Sequence, residues 1–155
     1  PGLARSYRSG RRRLAEAALN PTPEAFHEWR KRVKDHWYHI RLLTGAWPMG
    51  LGQRQDLLKA LSDQLGDDHD LAVLRLQLLH WSERIGWDAQ QQRLLGAIGR
   101  RQALLRRQSL SLGDRLYAET PGRFIRRIAA YWDLWAADAA RAAPSARNDP
   151  PHPPH

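Results

Sequence analysis

The sequence predicts an all-α protein, an antiparallel bundle of about five to six helices. Apolar residues recur at three- and four-residue spacing along most of the 155-residue chain, which is the period of a helix that buries one face. Little of the sequence has the alternation expected of a strand, and prolines and glycines fall between the periodic segments, where a chain turns. A chain of this length fits one domain with a core of its own, which we assign to residues 1–143.

The first two helices are predicted to meet at a proline-rich break. Helix one runs from Leu3 to Leu19, and Asn20-Pro21-Thr22-Pro23 ends it because two prolines cannot continue a helix. Thr22 is a suitable N-cap for helix two, which we place from about Pro23 to Thr44. Residues 45–52 contain a proline and three glycines and predict a turn.

The next two helices are predicted on either side of a glycine. Helix three spans about Gln53 to Leu65 and carries a leucine stripe, and Gly66 suits the position just after a helix end. Asp67 and Asp68 would then open helix four, which runs to about Ile85, because acidic side chains favour the positive end of the helix dipole.

The C-terminal part predicts two more helices and a tail. Asp88 is expected to cap a long fifth helix that ends near Leu112, and the last helix spans about Arg123 to Ala140. The segment 144–155 is rich in proline and poor in apolar residues, so we expect it to be disordered.

The charge balance indicates a polyanionic partner. Twenty-five Lys and Arg against sixteen Asp and Glu give a net charge of +9, and all but three of the cations are arginine. The guanidinium group offers planar, paired donors that match phosphate oxygens. The composition therefore favours a phosphate polymer as ligand.

The composition also excludes several classes of function. The chain has no cysteine, which removes disulfides, thiolate metal sites and thiol nucleophiles and fits a reducing, cytoplasmic setting. No apolar run approaches the length of about 20 residues that a membrane span needs, so we expect a soluble protein that does not interact with membranes.

Helix two is predicted to be two-faced. On a helical wheel six residues share an arc of roughly 100°, namely His27, Arg30, Lys31, Lys34, Tyr38 and Arg41. The opposite arc is apolar and is expected to be buried. A charge run is often only a solvated face, but such faces mix acids with bases, and the nearest acids here, Glu28 and Asp35, lie off the basic arc. Four unpaired cations at one-turn spacing therefore predict a polyanion-binding face.

Three segments together resemble one known family. These are YRSGRRR from Tyr7 to Arg13, HEWRKRVKDHWYHIRLL from His27, and LSDQLGDDHDLAVL from Leu61 to Leu74. In this order the segments are similar to the conserved histidine α-helical domain, or CHAD, over about residues 3–136. The resemblance implies a helical domain that binds inorganic polyphosphate, in a family with members associated with polyphosphate or polyester storage granules.

The resemblance is to the C-terminal half of a domain built from two helical halves around a basic cavity. Either the N-terminal half is the missing partner, or two copies of this chain form the cavity as a homodimer. The family motif also implies which residues bind the polymer. It makes His27 the motif histidine, followed by Arg30, Lys31, Lys34 and Arg41.

The other two segments imply further site residues. In helix one an adjacent basic wall is expected from Arg5, Arg8, Arg11 and Arg12. Tyr38 is expected either to face the ligand or to pack beside it. His69 contacts phosphate in one interpretation, and in the other it is packed beside the capping acids of helix four.

Two alternative functions follow from the same residues. Single-stranded nucleic acid would stack on exposed tryptophans, but Trp29, Trp37, Trp81, Trp132 and Trp135 lie on apolar stripes and are predicted to be core, so nucleic acid is the weaker interpretation beside general polyanion binding.

A phosphohydrolase is the remaining alternative. It would need convergent metal ligands, for which His69 with Asp70 and His36 with His39 are the only suggestions. We predict a binding protein that is not an enzyme and has no cofactor or metal site.

Overall fold

The computed structural model describes residues 2–85 and 88–142, which form five α-helices and one short 3-10 turn, Thr44–Ala46. The helices are α1 (Gly2–Leu19), α2 (Pro23–Leu43), α3 (Pro48–Ile85), α4 (Ala89–Leu116) and α5 (Pro121–Ala142). No strand occurs among these residues, and the predicted all-α class is confirmed. The predicted tail, 144–155, lies outside the described residues.

The first four helices pack in chain order, and α4 returns to contact α1. Neighbouring helices run antiparallel. Between α3 and α4, for example, Arg54 bonds to Leu116 at one end and Ser82 bonds to Gln91 at the other. Helix α5 contacts α1.

Aromatic side chains form the centre of the core. Trp29, Tyr7, Phe26 and Phe124 are all buried, and the rings of Tyr7 and Phe124 stack with their centroids 4.1 Å apart. Offset aromatic pairs of this kind add to the free energy gained from burial alone. The core therefore ties α5 to α1 and α2.

The predicted break at Gly66 is wrong, since α3 is one helix of 38 residues. A glycine within a helix costs only about 1 kcal/mol relative to alanine, and packing on both sides of Gly66 outweighs that cost. Leu65 is buried on one side, and Asp68 is buried on the other with its carboxylate 2.8 Å from the Arg106 Nε. Asp67 and Asp68 therefore lie inside a helix and do not cap one.

The predicted turn 45–52 is also wrong in extent. Only Thr44–Ala46 and Trp47 separate α2 from α3, because Pro48 takes the first position of α3, where its missing N–H costs nothing. The predicted N-caps Thr22 and Asp88 are confirmed. Thr22 accepts a bond from the Ala25 N–H at 3.2 Å, and Asp88 forms a capping box with Gln91.

Two further expectations about packing are corrected. Helix α4 continues past Leu112 to Leu116 because Gly113 faces the ring of Trp29, against which it packs inside the bundle. Trp81, Trp132 and Trp135 are not core residues, since 63%, 44% and 40% of their surfaces are exposed. Trp29 is buried as predicted.

Candidate functional site

The motif histidine of α2 meets a second histidine from α3. The rings of His27 and His69 lie with their centroids 4.4 Å apart and their planes 31° apart. This pairing depends on the continuity of α3, because His69 stands one turn beyond Gly66 on the same side of the helix. The structure thus brings together two residues that the sequence placed on separate elements.

Arg30 lies against α3 at the glycine. A side-chain carbon added at Gly66 would stand 3.3 Å from one terminal nitrogen of Arg30 and 3.4 Å from its Nε. The absence of a side chain at Gly66 therefore makes room for the guanidinium. The sequence pattern did not indicate this role, because a glycine at position 66 also suits a helix end. The three-residue spacing of Gly66 and His69 was the available signal.

Two nitrogen atoms of this cluster are buried without a hydrogen-bond partner in the described part of the chain. They are the Nδ1 of His27 and the Nε of Arg30. Burial lowers the pKa of His27, and the neighbouring His69 lowers it further because two positive imidazoles would repel each other. An anion beside the two rings would offset that repulsion.

The prediction that the basic face has no paired acid is wrong at Lys31. Its ammonium lies 2.5 Å from the carboxylate of Glu28, and the hydrogen bond from Lys31 lowers the pKa of Glu28. The wheel placed Glu28 off the basic arc, but the flexible lysine side chain reaches it across one turn. The structure shows no ion pair for Lys34 with any described residue. Lys34 is half-buried.

The C-terminal end of the basic face combines charge with aromatic surface. The guanidinium of Arg41 lies 5.3 Å from the ring centre of Tyr38 and 5.2 Å from that of Trp37. Tyr38 is exposed, so it lies beside Arg41 at the surface. The span from His27 to Arg41 is about 21 Å along the helix axis. We call the face formed by His27, Arg30, Lys31, Lys34, Tyr38, Arg41 and His69 the α2 strip.

Two arginines of α1 contact parts of the bundle outside the α2 strip. Arg5 lines a cleft with Arg32 and Asp35, which are ion-paired to each other on the flank of α2 that faces α1. Arg11 approaches the Glu119 carbonyl at 3.4 Å, on the side of α5.

The other two arginines of the predicted basic wall are exposed, and one of them is paired. Arg12 lies 3.5 Å from the carboxylate of Glu16, and Arg8 is exposed. A shared wall with the α2 strip stays a prediction.

The histidines suggested as a metal pair have other partners. His36 is fully buried with its Nδ1 3.1 Å from the Tyr117 hydroxyl, and the Nδ1 of His39 lies 3.1 Å from the Ser6 hydroxyl. Within residues 2–85 and 88–142, no group of three or more acids or histidines is arranged to hold a metal ion. No helix in these ranges is both long and apolar enough to cross a membrane.

These features define a class of protein, a helical bundle that presents a row of cations and imidazoles on one helix face. The family model described as CHAD domain matches residues 1–79, just over half of the chain, so the chain belongs to the CHAD domain family. The match includes every residue of the α2 strip. Because the match lies at the N-terminus of this chain, assignment to the C-terminal half of a domain stays a prediction. Comparison with curated proteins and with solved structures gave no match.

Proposed function

We propose that this chain binds inorganic polyphosphate along the α2 strip without cleaving it. The proposal rests on two contacts between α2 and α3. The rings of His27 and His69 pair, and the Arg30 guanidinium lies against Gly66, one turn before His69. Two helices there present nitrogen donors, two of them buried without partners, at the end of a row of cations. The CHAD family match supports the same ligand.

The chemistry of polyphosphate suits such a strip. The polymer carries about one negative charge per phosphate unit and has no base edges, so recognition rests on charge-assisted hydrogen bonds along its length. The axial span of about 21 Å from His27 to Arg41 contacts several units of an extended chain. Arg41 beside Tyr38 and Trp37 gives the far end a guanidinium held against aromatic rings.

We expect the protein to take up protons at His27 when polyphosphate binds to this strip. In the free protein burial and His69 lower the pKa of His27. A polyanion beside the ring stabilises the imidazolium and raises the pKa again. Because the bound state then holds more protons than the free state, affinity should increase as pH falls through the range below about 6.5 in which imidazoles titrate.

In this proposal the protein binds polyphosphate and does not hydrolyse it. Phosphoryl transfer at a divalent metal needs several convergent ligands. In the described part of the chain the carboxylate of Glu28 is paired with Lys31, and the two histidines of the strip have no third ligating group beside them. These features of the strip favour binding over hydrolysis.

A second basic wall would enclose the polymer. We expect it from a second copy of this chain or from an N-terminal CHAD half. The ratio of chains to bound polymer, measured by light scattering at saturation, separates the two. Association with polyphosphate or polyester storage granules also remains a prediction from the family.

The test is a titration with long-chain polyphosphate at near-physiological salt, with single-stranded DNA at equal phosphate concentration as competitor. Lys34→Glu should weaken polyphosphate binding roughly 10- to 100-fold, the range expected for a lost charge-assisted contact. The exposed Arg107 on α4 provides the matched control, since Arg107→Glu changes the net charge by the same amount away from the strip.

Three outcomes would contradict the proposal. Equal losses in Lys34→Glu and Arg107→Glu would indicate attraction by net charge alone. Equal competition by DNA would indicate a general polyanion or nucleic-acid binder. Shortening of the polymer with time would indicate an enzyme.

A further inference from the structure

A second basic cleft lies on another side of the bundle, where the start of α3, the end of α4 and the start of α5 meet. It encloses about 340 Å³, and its wall contains three arginines, Arg54, Arg115 and Arg127. Arg54 is about 18 Å along the α3 axis from Gly66, and its guanidinium bonds to the end of α4. The cleft is thus separate from the α2 strip.

Arg54 is the fixed cation of this cleft. Its guanidinium lies 4.5 Å from the ring centre of Phe124 and 5.8 Å from that of Tyr7. One terminal nitrogen donates to the Leu116 carbonyl at 2.5 Å, while its Nε is buried and has no partner in the described part of the chain. The side chain is therefore held in place, with its charge largely removed from water.

The acid near Arg54 is already occupied. The negative charge of Glu119 favours the charged form of Arg54. The Glu119 carboxylate itself accepts hydrogen bonds from two nitrogens of Arg127. Arg115 is exposed and has no ion pair with any described residue. Three guanidinium groups and one engaged carboxylate leave two uncompensated positive charges at one opening. A buried cation without a counter-ion is costly, and an anion in the cleft would remove that cost.

The geometry indicates which anion fits. The cleft is partly walled by Leu57 and Leu112, and apolar walls strengthen charge interactions by excluding water. Arg54 and Arg115 approach from different helices, so one anion must offer oxygens in several directions. A tetrahedral phosphoryl group does so, whereas a single carboxylate offers two oxygens in one plane.

We propose that the Arg54–Arg115–Arg127 cleft is a second anion site, which takes a compact phosphoryl anion such as orthophosphate or pyrophosphate. Arg54 provides fixed donors and Arg115 closes over the anion from the solvent side. The site is independent of the proposed polyphosphate strip, since no residue is shared between them.

The test is calorimetric titration of the full chain with pyrophosphate, alongside malonate as a carboxylate dianion. We expect one pyrophosphate per chain in this cleft and weaker binding of malonate. Arg115→Glu should reduce pyrophosphate affinity at least tenfold. Arg126→Glu on α5, outside the cleft and exposed, should leave it unchanged. Arg115 is used because Arg54 also satisfies the Leu116 carbonyl, so its replacement would disturb folding.

Two results would overturn the proposal. If Lys34→Glu abolished pyrophosphate binding while Arg115→Glu preserved it, the anion would bind on the α2 strip instead. If malonate bound as tightly as pyrophosphate, the phosphoryl assignment would be wrong. Circular dichroism of each variant before titration ensures that a loss of affinity is not a loss of fold.

Discussion

The two halves of α3 have similar leucine spacing and different surroundings. In the first half Leu51, Leu58 and Leu61 are buried, with 0–1% of their surfaces exposed. In the second half Leu76 and Trp81 are 67% and 63% exposed. A helical repeat of apolar residues therefore predicts which face of a helix is apolar, but not whether another element covers it.

The length of α2 explains the difference. His27 pairs with His69 in an antiparallel arrangement, and α2 begins at Pro23, four residues before His27. Helix α3 thus passes the start of α2 about four residues after His69, at residue 73. Beyond that point α4 is the only described helix that packs against it. We call residues 73–85 of α3, with the facing start of α4, the hairpin extension, and the remainder the bundle.

The largest effect should come from leucine truncation in the bundle. Leu58→Ala removes a fully buried side chain and should lower the free energy of unfolding by roughly 2–5 kcal/mol. Leu76→Ala in the hairpin extension is the control and should cost less than about 1 kcal/mol. Urea denaturation followed by circular dichroism measures both. Equal losses would show that the extension is buried in solution, which would contradict the comparison.

Charge removal at Asp68 should have the next largest effect. Asp68→Asn leaves Arg106 without its buried carboxylate partner, 2.8 Å away, and should lower the free energy of unfolding by roughly 2–3 kcal/mol. Asp63→Asn breaks only the exposed pair with Lys59 and should cost less than about 1 kcal/mol. A near-zero effect at Asp68 would mean that its pair with Arg106 contributes nothing to the bundle.

Alanine substitutions at two glycines of α4 should change the free energy of unfolding in opposite directions. A side-chain carbon at Gly113 would stand 2.6 Å from the Trp29 ring, so Gly113→Ala should destabilise the bundle by roughly 1–3 kcal/mol. At Gly99 the nearest atom, on Arg75, is 3.9 Å away, so Gly99→Ala should raise stability by up to about 1 kcal/mol. The same thermal or urea measurement compares them, and a loss at Gly99 would indicate packing on that face.

The smallest effect concerns pH. Burial, with Arg54 and His39 nearby, holds the pKa of His36 well below its usual range. The unfolded chain therefore takes up a proton at His36 that the folded chain refuses. Stability is full above about pH 6.5 and falls below it by up to about 1.4 kcal/mol per pH unit.

Replacement of His36 should flatten this dependence. We expect a smaller slope of unfolding free energy between pH 6.5 and 5 in His36→Gln, whatever its stability at pH 8. His80→Gln on the exposed face of the hairpin extension is the control for loss of an imidazole. An unchanged slope in His36→Gln would show that folding does not lower the pKa of His36.

Local signals in the sequence predicted the helices well. The caps at Thr22 and Asp88 and the buried face of α2 follow from contacts within a few residues, which sequence spacing records. The break predicted at Gly66 failed because packing against α2 and α4 overrides the weak helix propensity of one glycine.

The site was partly predictable for the same reason. The basic face of α2 was visible on a helical wheel, whereas the approach of His69 and the placement of Arg30 on Gly66 required knowledge of α3. The cleft at Arg54 joins three helices, and no local pattern in the sequence indicated it.

The bare backbone at Gly66 has a consequence for how this protein can vary. Every cation of the α2 strip can be lost by mutation with an obvious loss of charge, but Gly66 carries no charge to lose. A methyl group there would stand 3.3 Å from one terminal nitrogen of Arg30, so the guanidinium would have to shift by a few tenths of an ångström. A neutral, inconspicuous substitution would thus disturb the placement of Arg30 while the isoelectric point of the protein stayed the same.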